Sequence, residues 1–560
     1  MHWYEKSKAY IRKERLLLLV LALAFFLRVV GIGYGLPLLV VGDEPPFILA
    51  ALKMLQLHTL IPALHHGDFQ SILYYPPYLS YLLLIPFALI IGVTYLLFHG
   101  SAALLQAHLV SDLSPFFLAA RLISVALGTL SVYLAYRVAE ALFKSRIAAL
   151  ATAFLLATSL LHIGLSMVGR NWIFASTVFL LVLFVLTRER MSFRRRYLFS
   201  FVIAGVGMGF HSFAVFSLLM AGLYYLFFDV ISSRQIVRDL PHMALCALVF
   251  AALFLVSFFI WHGGSNFVGT ISLLAPKTML GLLSSPWEAL SQLLFSEPVL
   301  VALFLGGVVL MLERYRRMGA FVTVWFLLYA LIFYILFRFE PRFLLPLLPV
   351  LAIAGGYCVS RLWRGHARLF ILMLFVIPLF SAAWFSFLAM QGDTREEARA
   401  WVLENLDASD KVMVIASGMR ITTKAVAVAE LRSIDPGAVR KVDEADELLD
   451  RPDVPYVLNN ITSVTNHTFL VQLGQYAKQH RYTYIIIGSS VSDEFLSDSP
   501  AVFDLIQGAE EVRRFEGTHN DFLSLGGDRI EKSSRFSNPL YVLFSSRSFG
   551  PDITIYRLRE

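Results

Sequence analysis

"RERMSFRRR", residues 188–196, separates two apolar runs, and its reading decides the fold. Five arginines cannot lie in hydrocarbon, so the stretch is a loop between membrane spans, and its basicity assigns it to the cytoplasmic side. Outward from it, apolar blocks of about 15–22 residues recur as far as residue 389, the length a helix needs to cross a hydrocarbon core of about 30 Å. Spans are expected at 16–36, 117–139, 147–165, 171–187, 197–210, 212–229, 242–261, 297–312, 319–337, 344–360 and 368–389. A composition 58% hydrophobic and only 16% charged excludes an ordinary soluble enzyme.

The net charge of +7 reports orientation and not a nucleic-acid partner. With the N-terminus in the cytoplasm, the cytoplasmic segments hold 21 Lys or Arg, whereas the opposite loops up to the last span hold only Lys53, Arg170, Lys277, Arg338 and Arg342. That asymmetry is the positive-inside rule. The run "YLSYLLLIPFALIIGVTYLLF", 78–98, is long enough to span, yet counting it as a crossing would put 188–196 outside. Residues 37–116 are therefore expected to form one large outer loop containing a re-entrant or interfacial helix. The first span has no small-residue cleavage site after it and reads as uncleaved, and the chain is expected to be an integral protein of the plasma (inner) membrane. Cys246 and Cys358 both fall in spans, so no disulfide framework is implied.

Beyond residue 389 the composition turns polar, and 390–560 reads as a separate extracytoplasmic α/β domain following a membrane domain of 1–389. "DTREEARAWVLENL" is a helix with Asp393 or Thr394 as N-cap, and "FLVQLGQYAKQH" is another. "KVMVIAS", "YTYIIIGSS", "NPLYVLFSS" and "ITIYRL" read as strands.

Several polar residues stand at outer span boundaries. Asp43 and Glu44, in "VGDEPPFILAALKM", follow the first span; one acid can cap the helix that Pro45 begins, leaving the other to face a cavity. Arg338, Glu340 and Arg342, in "FRFEPRF", run against the charge bias and serve either as an interfacial anchor or as a phosphate site for guanidinium forks. Arg170 in "SMVGRNW" is a third outer cation. His65, His66 and Asp68 in "LHHGDF" could join Asp43 or Glu44 around a divalent ion, or simply be solvated; no other cofactor has a candidate site. Tyr75 in "YYPPY" suits a headgroup belt or a sugar face. His211, in the glycine-rich turn "GMGFHSF", could orient a polar substrate or be a satisfied interfacial histidine. Arg28, within the first span, must face protein or snorkel. Asn460 and Asn466 match glycosylation acceptors.

The order of "LRVVGIGYG", "GDEP", "YYPPYLSYLLL", "AARLISVALGTLSVYLAYRVAEALF", "RFEPRFLLPLLP", "DTREEARAWVLENL" and "FGPDITIYRL" resembles the membrane glycosyltransferases of the GT-C class. Within that class the resemblance is to the dolichyl-phosphate-mannose protein mannosyltransferase and lipid A aminoarabinose transferase superfamily. It implies a GT-C-like helical membrane domain, a polyprenyl-phosphate sugar as donor and membrane lipids as surroundings. Asp43 would be the general base, Glu44 its neighbour in the site, and Arg338 or Arg342 the contact to the lipid phosphate. The chain departs from several relatives in having "HSF" where they carry a lysine, and Asn171 where some carry an acid.

The chemistry is consistent with the residues. A carboxylate takes the proton of an acceptor hydroxyl as that oxygen attacks the anomeric carbon, cations stabilise the departing phosphate, and the centre inverts. The acceptor could be a glycan, a lipid or a protein, and the transferred group a single sugar or an oligosaccharide. The rival reading is a flippase or transporter of lipid-linked sugar, which should place ionisable groups near the bilayer midplane.

Overall fold

The computed structural model describes residues 2–41, 44–69, 72, 75–97, 101–230, 232–261, 279–336, 341–489, 501–517 and 540–559. Among the described residues up to 391 most apolar runs are helical, and the eleven expected spans each overlap one helix or adjacent helices. Among the described residues six helices are long and apolar enough to cross a membrane alone: Tyr78–Leu97, Ser114–Phe143, Ser212–Asp229, Ser233–Trp261, Arg342–Leu362 and Ala367–Gln391. The pair Arg146–Ala157 and Leu160–Ser166, bent by 61°, makes a seventh if it is one span. The stretch 188–196 is a turn whose last four residues, Phe193 to Arg196, begin the helix Phe193–Met208.

One boundary differs from expectation. The first helix, His2–Val29, ends seven residues before 36, and "GIGYG" winds through tight i→i−3 turns, with Tyr34 N–H donating to Gly31 and Leu36 N–H to Gly33. Gly35 there has φ +70°, a conformation that glycine adopts without strain. Tyr78–Leu97 is one continuous helix of 20 residues over the run read from sequence as a re-entrant or interfacial helix. Leu79, Leu83 and Phe87 bury one face, Phe87 edge-on to Phe116, while Ile85, Leu89 and Leu96 expose an apolar one.

At the centre, Leu348–Leu362 packs between Arg146–Ala157 and Pro298–Arg314. Glycine permits that approach: a Cβ at Gly356 would overlap Thr152, and one at Gly307 would overlap the Ala354 carbonyl. Cys246 and Cys358 are free and buried in this bundle.

The break between Arg146–Ala157 and Leu160–Ser166 is held by charge. Arg28, fully buried, donates to the carbonyls of Leu156 and Ala157 at the end of one half and to His162 Nδ1 at 2.8 Å. At the start of the other half Glu297 accepts from Ser159 Oγ at 2.6 Å and Leu161 N–H at 3.1 Å. A cation at a helix C-terminus and an acid at an N-terminus each match the local dipole. Arg28 thus faces protein.

The C-terminal domain is an α/β fold around a five-stranded sheet of order β2-β1-β3-β5-β4. Its strands are β1 Lys411–Ile415, β2 Tyr456–Leu458, β3 Tyr484–Gly488, β4 Glu510–Phe515 and β5 Ile553–Arg557. The first three are parallel, with Met413 opposite both Leu458 and Ile485; β5 runs antiparallel to β3 and β4, with Ile486 opposite Ile555. Asp393 is the N-cap of Thr394–Asn405, accepting from Arg395 N–H. "NPLYVLFSS" is not a strand: Leu540–Ser545 is helical, because Leu543 and Phe544 turn to the membrane helix Ala367–Gln391 instead of the sheet. Trp384 Nε1 donates to the Leu543 carbonyl and Phe544 stacks on Phe380.

Candidate functional site

The site is assembled from four span boundaries. At the first, Glu44 is completely buried, and instead of capping the helix Pro45–Gln56 its carboxylate receives a bidentate pair from Arg121, Nε to Oε1 at 2.8 Å and NH2 to Oε2 at 2.6 Å. The cap expected from sequence is therefore not made by Glu44. Arg121 also donates to the carbonyls of Ile32 and Tyr34, so one guanidinium ties the "GIGYG" turns to the acid that follows them. Such a planar fork matches a carboxylate and two carbonyls at once.

Residues 166–172 supply the second boundary. Gly169 N–H donates to Glu44 Oε1, and the glycine is needed because a Cβ there would lie 2.9 Å from that of Ala120. Arg170, the next residue, is buried. Asn171 Nδ2 donates to the Phe210 carbonyl at 2.9 Å, which joins this segment to the third boundary.

The third is the turn 209–213. Tyr78 N–H donates to the Gly209 carbonyl, and the Tyr78 ring sits edge-on to Phe210, so the helix that follows "YYPPY" starts on this turn. His211 is buried with its ring 4.3 Å from that of Trp172, and its Nδ1 accepts from Phe213 N–H at 3.1 Å. Nδ1 as acceptor fixes the tautomer: Nε2 carries the proton of the neutral ring. Burial, then the charges of Arg170 and Arg342, push the His211 pKa down to about 3, so the imidazole stays uncharged at physiological pH.

Arg342, from the fourth boundary, lies with its guanidinium carbon 5.7 Å from the Trp172 ring centre and 5.4 Å from that of Phe343. Phe343 is locked by Tyr329, whose hydroxyl donates to its carbonyl at 2.6 Å. Arg170 and Arg342 thus both act on one buried imidazole among aromatic rings, an environment of high positive potential that favours an anion.

Of the residues singled out from sequence, Glu44, Arg170, His211 and Arg342 are brought together. Tyr75 is stacked on Phe47, its ring centre 5.2 Å away. Asp43, Arg338 and Glu340 lie outside the described residues. Asp68 pairs with Lys53 at 3.3 Å, and among the described residues, which leave out Asp43, no group of three or more His, Cys, Asp or Glu able to hold an ion occurs. Arg121 was not anticipated. Its signal was a lone charge in the apolar run "AARLISVALG", which must find a buried partner.

Residues 113–261, which carry Arg121, Arg170 and His211, match the family model described as dolichyl-phosphate-mannose-protein mannosyltransferase. No curated protein matches the chain. Among solved structures it is similar to ArnT from Cupriavidus metallidurans bound to undecaprenyl phosphate, at 12% identity and TM-score 0.49 over 89% of this chain and 96% of that one. It is also similar to the oligosaccharyltransferase AglB from Archaeoglobus fulgidus in complex with an inhibitory peptide and a dolichol-phosphate, at 13% identity and TM-score 0.44 over 86% of this chain and 70% of that one.

Proposed function

We propose that the protein is an inverting glycosyltransferase that moves a sugar from a polyprenyl-phosphate donor to an acceptor hydroxyl at the outer face of the membrane. Asp43 takes the hydroxyl proton, the acceptor oxygen bonds to the anomeric carbon, and the bond from that carbon to the phosphate oxygen breaks, its electron pair leaving with the polyprenyl phosphate. Arg342, Arg338 and Arg170 stabilise the charge on that phosphate. His211 Nε2–H, Glu340 and Tyr75 contact the sugar end of the donor.

The observation that carries this reading is the division of the acid pair. Glu44 is committed to Arg121 and Gly169 N–H. Of two adjacent carboxylates one is structural, which leaves its neighbour for chemistry, on a loop anchored next to Arg170. The same carboxylate-and-arginine arrangement at span ends fits a donor whose lipid stays in the bilayer and whose anomeric carbon lies at the interface.

Purified protein in detergent, given lipid-linked sugars and hydroxyl acceptors, should yield a product heavier than the acceptor by one glycosyl unit, and its mass identifies a glycan, lipid or protein acceptor. The flippase reading draws support from the bent pair Arg146–Ala157 and Leu160–Ser166, with Arg28 and Glu297 at its break. A flippase yields no product in micelles, so transfer there decides against it.

A further inference from the structure

The chain that links the soluble domain to the site passes through three residues. Tyr34 is buried in the turns after the first helix, and its hydroxyl donates to Asp393 Oδ2 at 2.7 Å. Asp393, wholly buried, is the first residue of the soluble domain's leading helix cap and is itself fixed by Arg395, Nε to Oδ1 and NH2 to Oδ2, both at 2.7 Å. The Tyr34 ring stands edge-on to Phe549, whose carbonyl accepts Thr394 N–H, so the last strand's approach "FGPD" closes over the same contact.

In the other direction the Tyr34 carbonyl accepts from Arg121 NH1 at 2.6 Å, and Arg121 holds Glu44. The path from Asp393 to Glu44 is therefore Tyr34 and Arg121, with buried atoms at every step. At the far end of the long loop, the helix Ala102–Ser111 packs against Lys441–Leu449 of the soluble domain. The domain grips the loop near both ends.

We propose that the soluble domain is a positioning element for the first long loop, in which Asp393 and Tyr34, acting through Arg121, set where Glu44 and the adjacent Asp43 stand. Tyr34 and Asp393 touch no reacting atom. They limit how far the loop's acid can stray from the sugar it must serve, and a displacement of about 1 Å at a reacting group costs about 10²-fold in rate. The catalytic part of this inference rests on the glycosyltransferase reading; the mechanical part does not.

The test uses the full-length protein with Tyr34→Phe, Asp393→Asn and the double variant. Tyr34→Phe keeps the ring against Phe549 and removes only the hydroxyl. The expected result is a kcat lower by about tenfold or more with the donor KM within about twofold, because phosphate contacts come from other boundaries. The double variant should be no worse than the more damaging single one, since both break one path. Amides of 36–56 should exchange with deuterium about tenfold faster in Tyr34→Phe, while those of the Leu348–Leu362 helix keep their rate.

Unchanged kcat together with unchanged exchange at 36–56 would overturn the proposal, as would a loss of kcat explained wholly by a lower thermal midpoint. If wild-type protein transfers no sugar at all, the glycosyltransferase reading falls. The exchange arm then decides the positioning claim alone, with faster exchange supporting it and unchanged exchange refuting it.

Discussion

Arg28 and Arg121 are both fully buried guanidiniums on apolar helices, and they are stabilised in different ways. Arg28 is met by backbone carbonyls and one imidazole nitrogen at the broken end of Arg146–Ala157. Arg121 is met by a carboxylate brought from a loop 77 residues away, with two carbonyls besides. The first arrangement completes a helix end inside the bundle. The second holds a loop in place, and it fails differently, because deleting the arginine strands a buried charge.

Arg121→Met should show the largest effect, a loss of about 3–5 kcal/mol, because it leaves Glu44 uncompensated. Adding Glu44→Leu should restore most of that stability, since apolar replacement of a buried pair is often neutral or better. Transfer activity should stay low in the double variant, because the loop has lost its anchor. Thermal unfolding and turnover on the same preparations measure both. Arg28→Leu should cost less, about 1–3 kcal/mol for carbonyls left unmet, with activity falling only in proportion to the folded fraction.

A smaller effect is expected from pH. Burial, then the nearby charge of Asp393, raises Glu396 from 4.5 to about 8, opposed by the N–H groups of Asp393 and Gly35 and by the charge of Arg121. Arg399 also faces it. Across that window the folded protein keeps a proton that the unfolded chain has released, so stability falls as pH rises from about 4.5 to about 8 and levels off above. Thermal midpoints of Glu396→Gln should therefore decline less than wild type over the same range, and an identical slope would show that Glu396 does not titrate there. The smallest effect belongs to Lys53→Ala: its pairing with Asp68 is partly exposed, so the midpoint should shift by no more than about 1 kcal/mol allows.

Helices were legible because a membrane span is a local property of about 20 residues. The site was legible only in part. Span boundaries advertised Glu44, Arg170, His211 and Arg342, since polar residues there interrupt long apolar runs. Arg121 stood out only as a lone charge in an apolar run, and Gly169, the other partner of Glu44, is 125 residues away and has no side chain to mark it. The same limit explains the C-terminal α/β region. β4, "EEVRRF", is a charged edge strand exposed along most of its length and shows no alternation to read. "LYVLFS" looks like a strand until the membrane helix that receives its apolar side chains is known.

Asp43 and Glu44 stand side by side in the sequence, yet they are assigned opposite roles, and turnover of a lipid-linked sugar by Asp43→Asn and by Glu44→Gln in proteoliposomes compares them directly. Asp43→Asn should fold and insert as wild type with transfer reduced by about 10²-fold or more, as expected for loss of a general base. Glu44→Gln should lower the thermal midpoint and retain measurable transfer. Wild-type turnover by Asp43→Asn would contradict the assignment.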